Sequence, residues 1–127
     1  MNAVVDSCGW IEFIGNEENA SFFEPLLLDE RRLIVPPLVV FEVTKRFLVL
    51  EQPLAVSAFL SVVERCNRPE LTPAQMYSAA QAARLYKLAM ADAIIWQTAR
   101  ENNAILYTQD AAFKDVPSVQ YKMKQQN

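Results

Sequence analysis

The sequence predicts an α/β fold, a mostly parallel sheet covered on both faces by helices, in one domain over residues 1–127. Two observations carry this expectation. Short apolar runs alternate along the chain with longer segments of helical period, as in parallel strands joined by helical crossovers. Helical segments also outweigh strands in total length. A chain of 127 residues is long enough to bury a core. With 52% hydrophobic and 21% charged residues, a compact globule with some apolar surface left for a partner fits.

Ala3–Val5 reads as the first buried strand, and its C-terminal end presents Asp6, with Ser7 placed to cap the next helix. That helix spans Ser7–Ile14, with Trp10, Ile11 and Ile14 on one side, and Gly15-Asn16 stops it. A second helix starts at Asn19 or Ser21 and runs through Phe22, Phe23, Leu26 and Leu27. Leu33–Val35 is the second strand, after which Pro36-Pro37 opens a helix over about Leu38–Leu50. That helix is apolar on most faces, which predicts burial. Gln52-Pro53 separates it from a helix over about Leu54–Cys66, and Arg68–Leu71 can form a short strand. Thr72-Pro73 is a cap followed by proline at the first helical position, opening a helix over about Ala74–Leu85. Leu88–Arg100 is the next helix and Ala104–Tyr107 a strand. Thr108-Gln109-Asp110 closes that strand and leads into a helical turn through Phe113. Val119–Met123 reads as an edge strand, and the Lys124–Asn127 tail as frayed.

Absences narrow the chemistry. The chain has no histidine, which excludes Ser-His-Asp and Cys-His catalysis and any histidine-ligated metal. Two glycines cannot write a P-loop or a Rossmann fingerprint. Cys8 and Cys66 lack CxxC spacing and read as small buried residues. No basic segment precedes an apolar stretch at the N-terminus. The longest uncharged apolar run, Leu33–Phe41, holds two prolines and is too short for a bilayer. The expected location is the cytoplasm.

Carboxylates remain, and four of them lie outside charged runs: Asp6, Glu42, Asp92 and Asp110. Each has a structural reading. Asp6 and Asp110 can be caps or Asx-turns, Asp92 can be a helix N-cap, and Glu42 can pair with Arg46 at i+4. Together they are expected to converge on one sheet edge, where like charges raise one another's pKa and a divalent cation compensates. Oxygen donors without histidine suit Mg²⁺ or Mn²⁺. Of fifteen acids set against twelve Lys and Arg, removing these four leaves the remainder about neutral.

The order Asp6 in VVDSCGWIE, Glu42 in FEVTKRF, Asp92 in MADAIIWQTA and Asp110 in YTQDAAF resembles the PIN-domain ribonucleases, and among them the VapC-type toxins of toxin–antitoxin pairs. The resemblance spans Val4 to about Phe113. It implies a three-layer α/β/α sandwich with four or five mostly parallel strands. The implied activity is that of a Mg²⁺- or Mn²⁺-dependent endoribonuclease. Asp6, Glu42, Asp92 and Asp110 would bind the metal and carry catalysis, with Ser7 and Thr108 in support. Cys8 departs from the small or hydroxyl residue expected beside them. The implied partners are RNA, a small antitoxin and a second copy of the chain, with no membrane. Phe22-Phe23 and the Phe41–Leu50 surface are candidates for the protein contacts, with core packing the bland alternative. Lys45 and Arg46 can hold RNA phosphates or form a solvated face, and Trp10 and Trp96 can stack bases or pack in the core. A catalytically inactive PIN-like module binding RNA or protein, a phospho-accepting receiver domain and a structural subunit with capping acids are the rivals.

Overall fold

The computed structural model describes residues 1–124. Its elements are β1 (Asn2–Val5), α1 (Ser7–Ile14), α2 (Ala20–Leu27), β2 (Leu33–Ile34), α3 (Pro37–Val49), α4 (Pro53–Val63), α5 (Pro73–Tyr86), α6 (Met90–Glu101), β3 (Ala104–Thr108), a 3₁₀ turn (Ala111–Phe113) and β4 (Val119–Tyr121). All strand pairs are parallel, in the order β2-β1-β3-β4. The fold is therefore the expected α/β/α sandwich with four strands. Every helix of the sequence reading is present. Among the described residues no helix is long and apolar enough to cross a membrane.

Register puts the two central strands in step: Ala3 pairs with Ile105, Val4 with Leu106 and Val5 with Tyr107. Because these strands run parallel, their C-terminal ends emerge side by side, which brings residues 6 and 108 together at one edge. Val4, Val5, Leu33, Ile34 and Leu106 from the sheet pack against Phe23, Val39, Val43, Phe59, Ile95 and Phe113. Gly9 lets α1 lie against β1, since a Cβ there would sit 2.6 Å from Val5 and 2.7 Å from Phe23. Trp10 (3% exposed) meets Phe59 edge-on at 5.0 Å, and Trp96 (7% exposed) meets Tyr86 at 5.2 Å while donating to the Pro117 carbonyl. Both tryptophans are core residues, so neither is free to stack a base.

Several expectations need correction. Arg68–Leu71 forms no strand: on the edge of β2 away from β1, the contact is an isolated bridge from Ile34 to Asn67. Helix α3 buries a single stripe, Val39, Val43 and Phe47, and leaves Phe41 (63%), Leu48, Val49 and Leu50 exposed. Of the Phe22-Phe23 pair, Phe23 is core and Phe22 half-buried beside Tyr107. Asp6, not Ser7, is the N-cap of α1. The Gly15-Asn16 stop is as expected: α1 ends at Ile14, Gly15 is its C-cap with a right-handed backbone, and Asn16 turns the chain at φ 51. Asparagine tolerates the left-handed region better than other non-glycine residues. Lys124 pairs with Glu12 instead of fraying, and the rest of the expected frayed tail, 125–127, lies outside the described residues. The Thr72 cap is confirmed as a full capping box with Gln75.

Candidate metal centre

Asp6 leaves β1 in an extended conformation and caps α1, so its backbone is fixed by a strand on one side and a helix on the other. Its Oδ1 accepts the Ser7 amide at 2.8 Å and its Oδ2 accepts the Thr108 hydroxyl at 2.9 Å. Thr108, fully buried at the end of β3, also accepts the Asp110 amide at 3.0 Å. One hydroxyl thus joins two of the candidate acids. The Cys8 thiol lies 3.6 Å from Asp6 Oδ2 and 3.5 Å from the Thr108 hydroxyl. Burial and the Asp6 charge push that thiol up to about 12, so it stays protonated and serves as a weak donor. Cys8 and Cys66 are both free.

Asp110 follows two residues after the Thr108 contact and folds its Oδ1 onto the Ala112 amide at 2.9 Å, an Asx-turn that opens the 3₁₀ turn. A carboxylate has two oxygens, so this turn does not prevent Asp110 from facing its neighbours. Asp92 sits in the first turn of α6, where the helix dipole favours a negative charge. The N-cap position belongs to Ala89 and no side chain caps this helix, so Asp92 is not the cap that its position suggested.

Asp6, Asp92 and Asp110 come together: each can offer one oxygen such that all three lie within 4.8 Å of one another. Glu42, half-buried on α3, falls outside that set but still acts on it electrostatically. Burial raises the Asp6 carboxyl above its ordinary value against the Thr108 and Ser7 hydrogen bonds, with Glu42 and Asp110 adding to the rise. Burial lifts Asp92 to about 7, assisted by Asp6, Asp110 and Glu42 in turn. Among the described residues none of the four acids forms an ion pair, so the alternative reading of Glu42 as a partner of Arg46 does not hold. The protein assembles negative charge here, and among the described residues no Lys or Arg pairs with it.

The PIN domain family profile matches residues 3–119. The chain belongs to the PIN-domain family. A toxin-antitoxin complex from Klebsiella pneumoniae superposes on this PIN domain with a TM-score of 0.78 at 19% identity, covering 94% of this chain and 96% of its counterpart. VapBC2 from Rickettsia felis, bound to a DNA fragment from its promoter, gives 0.73 at 13% identity over 98% and 100%. VapBC-1 from nontypeable Haemophilus influenzae gives 0.71 at 20% identity over 97% and 98%. At these identities the likeness is one of fold. No curated protein sequence matches the chain.

The sequence did not single out Gln109, Glu12 or the contact of Cys8 with Asp6. Gln109 stands between two candidate residues at a strand end, and that position was the one available signal. Nothing local marks Glu12, whose partners are at least seven residues away.

Proposed function

We propose that this PIN domain is a divalent-metal-dependent endoribonuclease and the toxin of a toxin–antitoxin pair. The observation that carries the reading is the convergence of Asp6, Asp92 and Asp110 with no ion pair to any of them among the described residues. All-oxygen donors in a chain without histidine fit a hard ion such as Mg²⁺ or Mn²⁺. Asp6, Asp92 and Asp110 would hold it, with Glu42 contributing charge from α3. When bound, such an ion supplies Lewis acidity toward a phosphodiester and lowers the pKa of water.

The remaining work falls to the chain itself. Thr108 and the Ser7 amide aim the Asp6 carboxylate, and Thr108 ties it to Asp110. Lys45 and Arg46 are exposed beside Glu42 around a shallow hollow of about 320 Å³, where they offer cations to an RNA backbone. On the protein side, Phe41, Leu48, Val49, Leu50 and Leu54, from α3 to the start of α4, are all exposed, which supports contact with a small antitoxin or a second copy. The VapBC complexes that share this fold support the same partner class.

Incubation with RNA and Mg²⁺ or Mn²⁺, with EDTA and Asp6→Asn as controls, tests the reading. Cleavage that stops in both controls is expected. Cleavage that survives EDTA or the substitution overturns the metal-carboxylate mechanism. RNA binding without cleavage returns the inactive binding module.

A further inference from the structure

Behind the acids lies a second polar cluster that the proposed chemistry does not use. Glu12, on α1, is 2% exposed. Its Oε2 accepts the Asn19 amide at 2.9 Å, and its Oε1 accepts Gln109 Nε2 at 3.1 Å. Lys124 Nζ stands 3.4 Å from the same Oε1. The Gln109 carboxamide is held at its other end too, because its Oε1 accepts Asn19 Nδ2 at 3.0 Å. Asn19 Nδ2 also reaches the Met123 carbonyl at 3.3 Å. Every polar atom of the Gln109 side chain therefore has a partner in a partly buried cluster.

The placement of Gln109 gives the cluster its meaning. Successive side chains of an extended chain point to opposite faces. Thr108 bonds Asp6 on one face, and Asp110, also extended (φ −82, ψ 120), returns to that face. Gln109 takes the other face and is pinned there. A residue anchored between two site residues sets where both of them point. We propose that Gln109, anchored by Glu12 and Asn19, is a positioning residue that fixes Asp110 and Thr108 for metal binding. The proposal rests on the metal reading above, and it extends the site from α1 through α2 to the segment after β4. Lys122 adds a backbone link, donating its amide to the Thr108 carbonyl at 3.0 Å. Glu12 stays ionised in this cluster: burial pushes its pKa up, but the Asn19, Gln109 and Lys124 donors together hold it below the ordinary value.

The test compares full-length Gln109→Met with wild type in two ways: Mn²⁺ affinity by calorimetry, and amide exchange at Asp110 and Ala112 in the metal-free protein. Loss of a group that orients a metal ligand costs on the order of 10- to 100-fold in metal affinity. That weakening is expected, together with faster exchange at both amides. Thr72→Ala, which breaks the capping box of α5 away from the acids, is the control for general destabilisation and is expected to lower the melting temperature without changing either readout. If Gln109→Met does not fold, Glu12→Gln replaces it. One acceptor and one donor then stand where two acceptors were used, and both readouts are expected to shift the same way by less. Mn²⁺ affinity within twofold of wild type and unchanged exchange in the folded variant overturn the positioning role. A wild type that binds no Mn²⁺ overturns the metal reading instead, while the exchange comparison, made without metal, still decides whether Gln109 holds Asp110.

Discussion

Asp6 and Glu12 stand six residues apart, one capping α1 and the other inside it, and both are about equally buried. Their carboxyls shift in opposite directions, Asp6 up and Glu12 down. Burial is the largest influence on each and pushes both up; in Glu12 the donors outweigh it, and in Asp6 they do not. Glu12 is met by donors from three separate segments, including a lysine. Asp6 also accepts hydrogen bonds, but faces the charges of Glu42 and Asp110. One acid is complete within the protein. The other becomes so only if a cation arrives from outside. That distinction separates a group that holds structure from one suited to hold a ligand.

The largest effect expected from breaking this contrast is kinetic. Asp6→Asn should lower RNA cleavage at least ~10³-fold, the scale of several kcal/mol of charge stabilisation lost at a metal site. The same substitution should raise the melting temperature of the metal-free protein, because it removes repulsion. Glu12→Leu should act oppositely, costing about 2–3 kcal/mol of stability in urea unfolding, since the Asn19 amide and Gln109 lose their buried acceptor. A stable Glu12→Leu protein would show that the cluster is dispensable.

Smaller effects follow from titration. Asp92 has its folded pKa raised from 3.8 to about 7, so the folded state binds its proton more tightly than the unfolded chain does. Stability from this group is therefore present at low pH and lost as pH rises from about 4 through about 7. Metal-free protein should show a urea midpoint that falls between pH 5.5 and 7.5, and Mn²⁺ should flatten that slope. Glu12 has the reverse sign. Its contribution is present above its unfolded value of 4.5 and lost as pH falls through its depressed folded value. Asp92→Asn should remove most of the neutral-pH slope and add about 1 kcal/mol to metal-free stability. A fall in stability instead would mean that Asp92 supports the start of α6 despite lacking a cap bond.

The sequence made the strands, the helices and the meeting of Asp6 with Asp110 legible, because strand ends and turn residues are local signals. Asp92 joined them as expected, though not as a cap. What escaped was long-range. Helix α3 contains apolar residues on most faces, and composition alone cannot say that Phe41 and Val49 stay exposed while Val43 is buried. Arg68–Leu71 reads as a strand, but from that side of the chain only Asn67 bridges to β2. Glu12 looked like one more helical acid, since its partners come from Asn19, Gln109 and Lys124.

The pairing of β1 with β3 also has a consequence in time. Asp6 is made almost at once, whereas the hydroxyl that aims it lies 102 residues later. Chains are synthesised from the N-terminus, and contacts this distant form late. On the ribosome β1 waits without the neighbour that completes its edge, and the acids cannot meet until β3 has emerged. A nascent or truncated chain lacking β3 has no assembled acid cluster, so the protein's own length delays completion of the site.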